Sequence, residues 1–168
     1  MTTLFAQPYD ISANGFYFEN AEDYQEKTSK LLNRYGEPVE EFEIQFIDGE
    51  GIDCDLFKAI SISQCTCEKF LDIVEEWTED DKIKIIIAVG EVGYNFDLNK
   101  DTPNQFDIEL YQINSLKELA EQFVEEGLFG DIPERLRNYL DYDAIACDLG
   151  MDYSEIRIDG TNYIYRCD

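Results

Sequence analysis

Apolar positions recur at helical spacing most clearly between Ser115 and Asp148, on three short segments. Leu116, Leu119, Ala120, Phe123 and Val124 share one face of the first segment. Ser115 and Glu118 form a capping box there: the hydroxyl accepts from one free N–H and the carboxylate reaches back to another. Gly127 stands where a left-handed residue ends a helix. The pattern predicts a second helix capped by Asp131, with Pro133 in its first turn, and a third from Asp141 to Gly150.

Earlier in the chain the period changes. Thr3–Ala6 and Phe16–Glu19 read as short strands separated by Pro8 and the Asn14-Gly15 turn. Asn20 caps a predicted helix from Ala21 to about Arg34, with Tyr24, Leu31, Leu32 and Tyr35 apolar and Gly36 and Pro38 as its stop. Phe42–Asp48 alternates at period two, which sets Phe42, Ile44 and Phe46 on one face and Glu43 and Gln45 on the other. Short helices are expected over Asp53–Ile60 and, capped by Ser63, over Gln64–Trp77. Lys82–Tyr94 is ambiguous, because its isoleucine run suits a buried strand or a buried helix equally.

The polar stretch Asn95–Gln105 reads as a linker, followed by a strand over Phe106–Ile113. The chain closes with a hairpin whose Asp159-Gly160 is a two-residue turn signal. The fold expected is α+β, in three small units forming an elongated chain. They are a sheet-plus-helix unit at 1–61, a mostly helical middle unit with linker at 62–104, and an α+β unit at 105–168.

Charge changes the picture. Thirty-eight acids against 13 bases give a formal charge of −25, yet 11 Tyr and 11 Phe supply enough apolar area for real cores. The acids come in blocks. Glu37, Glu40, Glu41, Glu43, Asp48, Glu50, Asp53 and Asp55 fall between Tyr35 and Phe57 with no base among them. A second block includes Glu68, Asp72, Glu75 and Glu76; a third is Glu118, Glu121, Glu125, Glu126, Asp131 and Glu134. Such charge disfavours nucleic acid and anionic membranes as direct partners and favours basic partners or a metal. A solubilising halophile surface is the bland alternative, and the arrangement in blocks counts against it.

Chemistry has little to stand on. The chain has no histidine, the commonest general base, and no phosphate-binding glycine loop or nucleophile elbow, so no enzyme activity is expected. Asp97, Asn99 and Asp101 begin like a calcium loop, but Thr102 replaces the turn glycine and Ile108 the final glutamate. No metal or cofactor is expected. The five cysteines lack zinc-ribbon spacing and are expected as free thiols, and without a signal peptide or spanning run the protein is expected to be cytoplasmic. Phe129 is expected in a core, and one of Tyr139 and Tyr142 at an interface or on the surface.

The run EQFVEEGLFGDIPERLRNYLDYDAIA, with YRC near the chain end, resembles the ArdA antirestriction family. Those are small acidic proteins of mobile genetic elements that block type I restriction–modification enzymes by imitating duplex DNA. Glu125, Glu126, Gly127, Leu128, Phe129, Gly130, Asp131, Ile132 and Pro133 match what the family calls its antirestriction motif. Cys147 departs from the pattern, standing where relatives often carry arginine. The resemblance implies a mostly helical middle portion, a homodimer, and the DNA-binding core of a type I enzyme as partner, with the acidic blocks as the binding surface. At about one charge per 1.7 Å of duplex axis, the net charge corresponds to roughly 42 Å of DNA. A general acidic adaptor docking on a basic, histone-like protein is the alternative reading.

Overall fold

β1 (Thr3–Pro8), β2 (Phe16–Phe18) and β3 (Phe42–Asp48) form an antiparallel sheet in the order β2-β1-β3. The register sets Ala6 opposite both Phe16 and Ile44, so alternation sends Leu4, Ala6, Phe18, Phe42 and Ile44 inward together. Glu43 and Gln45 stay exposed, as the period-two pattern requires. α1 (Ala21–Lys30) is capped by the Asn20 side chain, which accepts from the Asp23 N–H, and its Tyr24 ring sits 4.7 Å from that of Phe18.

α1 stops at Lys30, short of the predicted Arg34. Asn33 is the reason. Its Oδ1 accepts the N–H groups of Tyr35 (2.9 Å) and Glu37 (3.0 Å), and Gly36 takes a left-handed φ of 82°. This turn competes with the helix for the same backbone donors. Leu32 then bridges to Pro38, and Leu32 and Tyr35, expected on an apolar helix face, are exposed.

α2 (Gly51–Ala59) and α3 (Cys67–Glu76) follow. The predicted start of α3 at Gln64 is corrected to Cys67, because Ser63 and Thr66 close a turn on each other instead of capping a helix. The ambiguous isoleucine run is helical: α4 (Glu79–Ile85) continues as a π-helical turn over Ile86–Glu91. Thr78 and Asp81 each accept the other's backbone N–H, a complete capping box that starts the helix and decides against a strand. Ile83, Ile85, Ile86, Ile87 and Ala88 are buried. The polar stretch after it packs closely, with Leu98 and Pro103 buried and the Phe96 ring 6.1 Å from Trp77. Met1–Phe106 forms one compact unit and Asp107–Asp168 another.

In the second unit β4 (Ile108–Tyr111), β5 (Ser154–Ile158) and β6 (Thr161–Cys167) form an antiparallel sheet in the order β4-β6-β5. Asp159 (φ 44°) and Gly160 (φ 78°) make the two-residue turn that joins β5 to β6. α5 (Leu116–Glu125) is capped by Ser115, which accepts from the Glu118 N–H; the Glu118 carboxylate reaches one residue past the expected capping box and accepts from the Asn114 N–H. It ends in a Schellman motif. Gly127 has φ 77°, the Leu128 N–H donates to the Phe123 carbonyl and that of Gly127 to Val124.

α6 (Glu134–Arg137) begins later than predicted. Pro133, with ψ 135°, precedes the helix, and no side chain caps it, so Asp131 is not its cap. A second left-handed glycine, Gly130 (φ 88°), turns the chain back toward Gly127 before the helix can start. α7 (Tyr142–Leu149) is capped by Asp141 and followed by Gly150. Leu119, Phe123, Tyr153 and Ile164 form the core, with Tyr111, Ile113, Leu116 and Leu149 packed on it. Fully burying a side chain such as Leu119 stabilises by roughly 1.5–3 kcal/mol, so this small core is not generous.

This computed structural model describes Met1–Cys167; Asp168, the last residue of the expected third unit, lies outside the described residues. Among the described residues the chain is mixed α+β, with seven α-helices and two three-stranded antiparallel sheets. No helix among them is long and apolar enough to cross a membrane.

Candidate acidic interface

The turns and strand edges of the first unit position its acids. Glu37 closes the Asn33 turn, Glu40 and Glu41 lead into β3, Glu43 points outward from it, and Asp48 and Glu50 flank the bend before α2. All six are exposed. Asp55 is half-buried with Lys58 at 3.7 Å. Along α3 the inward face is Cys67, Phe70, Leu71 and Ile73, which leaves Asp72, Glu75 and Glu76 exposed. Lys69 lies 4.0 Å from both Asp72 and Glu76, and half-buried Glu68 accepts from the Gln25 amide at 2.7 Å.

Asp53 is a correction. It points inward, 4% exposed, with its Oδ1 2.6 Å from Lys82 Nζ and its Oδ2 accepting from the Thr2 hydroxyl at 3.3 Å. Lys82 donates a further bond to the Val74 carbonyl. Asp53 therefore neutralises an internal lysine and contributes nothing to an outer surface.

In the second unit Glu118, Glu121, Glu125, Glu126, Asp131 and Glu134 are all exposed. Glu121 and Glu125 stand one helical turn apart on α5, a rise of about 6 Å. Lys117 reaches Asp143 on α7 at 2.9 Å. Glu109 escaped the sequence reading. Its two carboxylate oxygens accept from the hydroxyls of Tyr111 (2.6 Å) and Tyr153 (3.0 Å), and Arg166 approaches to 3.4 Å while lying over the Tyr153 ring. Burial and then the Glu109 bond raise the Tyr111 hydroxyl well above its ordinary value, which keeps it a donor. Glu109 and Tyr111 are two apart on β4, so period two already puts them on one face.

The motif segment is exposed. Leu128 (61%) and Phe129 (51%) face solvent, so the expectation that Phe129 is core is overturned. The paired left-handed glycines, Gly127 and Gly130, lift the segment off the end of α5 and hold its aromatic ring at the edge of the core, 6.3 Å from Phe123. Leu136 and Tyr139 are exposed beside it in sequence, and Ile132 is half-buried. Tyr139, at 83%, is the surface tyrosine expected.

All five cysteines are free; Cys67 is buried, and burial with the nearby Glu68 charge pushes its thiol up to about 11, against thiolate formation. Asp97 accepts from Lys100 and the Asn99 N–H, while Asp101 accepts from the Asp97 N–H, which closes that loop on itself. Among the described residues no three acids or cysteines are grouped to hold a metal ion.

Each unit thus carries its own set of exposed carboxylates. A comparison with curated proteins finds no match. A family model described as antirestriction protein (ArdA) matches residues 13–163, which covers most of both units and the whole of the exposed motif. The chain thus belongs to the ArdA antirestriction family, a family of inhibitors of restriction–modification enzymes rather than of enzymes.

Proposed function

We propose that the protein is a DNA mimic that occupies the DNA-binding groove of a type I restriction–modification enzyme in the cytoplasm and keeps DNA out. The observation that carries this reading is the exposure of base-free acid blocks in both units, on β3 and its flanking turns and on α5. Each carboxylate takes the place of a phosphate against a lysine or arginine of the groove. No bond is made or broken. Because helices, strands and hydrogen-bonded turns hold the acids, little ordering accompanies binding, and opposite fields steer the encounter.

The working form is a homodimer joined through the second unit. Leu128, Phe129, Leu136 and Tyr139 leave apolar surface uncovered there, and a two-fold copy is the simplest cover for it. Restriction of unmethylated plasmid by a type I enzyme should fall linearly with added protein and reach zero at two chains per DNA site. Light scattering should give the free protein the mass of two chains. An end point of one chain contradicts the dimer, and inhibition far below stoichiometry contradicts occupancy.

A further inference from the structure

The loop after β1 and the turn after α1 are tied into one frame in the first unit. Asn33 Nδ2 donates to Asp10 Oδ2 at 2.9 Å, while the other Asp10 oxygen accepts the Ser12 N–H at 2.8 Å. The Asn33 amide oxygen holds the Tyr35 and Glu37 N–H groups, and Tyr9 N–H donates to the Glu41 carbonyl. This frame presents apolar side chains to solvent: Ile11 is 98% exposed, Tyr35 74%, Tyr9 66% and Leu32 54%. Single exposed apolar residues are ordinary, but four on one bonded frame are not scattered.

What surrounds them names the partner. Glu37, Glu40 and Glu41 are exposed on the same turns, and a crevice of about 260 Å³ opens between Tyr9 and Asp10 on one side and Pro38–Glu41 on the other. Arg34 is the one base on the two turns. An acidic rim repels DNA and anionic lipid and attracts a basic protein face. We infer that this frame is an apolar anchor that seats Ile11 and Tyr35 in an apolar socket on a lysine- and arginine-rich protein face.

The inference rests on the DNA-mimic reading and adds what charge alone lacks. Carboxylates by themselves pair with any basic groove, whereas a desolvated aromatic and aliphatic contact inside a polar ring is where binding energy concentrates.

The test compares the full-length protein with Ile11→Ser/Tyr35→Ser, a change that leaves the net charge at −25. Affinity for a type I restriction–modification enzyme should fall at least tenfold with the same salt dependence, while binding to poly-lysine stays unchanged. Ile11→Leu/Tyr35→Phe should keep the affinity of the parent and shows that the loss is of apolar contact. Equal affinity of parent and serine variant for the enzyme overturns the anchor alone. A parent that binds no type I enzyme overturns both the mimic reading and the anchor. A serine variant that loses self-association instead of enzyme affinity assigns the patch to a second copy and overturns the partner named here.

Discussion

Replacing Glu37, Glu40, Glu41, Glu43, Asp48, Glu50 and Asp55 together by their amides should weaken binding to a type I enzyme about 100-fold or more. The magnitude follows from the arrangement. An exposed charge pair contributes about 0.2–1 kcal/mol, so one change such as Glu121→Gln should cost less than about fivefold. Seven such pairs add up because the acids are spread over turns, strand and helix and share no single counter-charge. The salt dependence should flatten at the same time, since each neutralised carboxylate removes one ion pair that salt can screen. Titration calorimetry over a range of salt concentrations reads both effects. A single substitution as damaging as all seven would mean a localised site, and the distributed account would fail. Asp53 is left out of the set because it is buried against Lys82.

That buried pair underlies the second large effect. Lys82→Ala should destabilise the protein by about 3–5 kcal/mol, because it leaves the Asp53 carboxylate charged, buried and without its 2.6 Å partner. The Thr2 hydroxyl at 3.3 Å is a weak substitute. Asp53→Leu/Lys82→Met should recover most of the loss, since packed apolar groups of similar volume often replace a buried pair at no cost. Urea unfolding of the full chain distinguishes the cases. A single variant as stable as the parent would show that the pair is solvated in solution.

Why the sequence revealed some of this and not the rest is a matter of range. Caps and turns are decided within a few residues: Ser115, Asn20, Asp141, Gly127 and Asp159-Gly160 all stand where their chemistry placed them. The alternation of β3 was equally legible, because a strand with one buried face writes its burial directly into its order. The end of α1 was not, because Asn33 can end a helix or sit in one, and its bond to Asp10 is made 23 residues away. Phe129 looked like core because aromatic residues usually are. Only the conformation of the two flanking glycines shows that the chain is lifted clear there.

Among the acids the same limit applies. Asp53 reads as one more member of a charged run, yet it shares the inward side of α2 with Ile52 and Leu56. Its lysine lies in an apolar run 29 positions on, and no local spacing pairs the two. Glu109 is the opposite case, since its tyrosine partner on the same strand was visible at period two. Antirestriction itself was carried by the motif run rather than by charge, because −25 alone fits any partner with a basic face.

Groove occupancy is tested most directly by displacement of labelled duplex DNA from a type I enzyme, followed by fluorescence anisotropy as the protein is added. The account predicts complete release of the duplex. It also predicts that the apparent affinity of the protein falls in proportion to duplex concentration, and equally so for cognate and non-cognate sequences at matched occupancy. A duplex that stays bound while cleavage stops would place the inhibitor outside the groove and contradict the mimic.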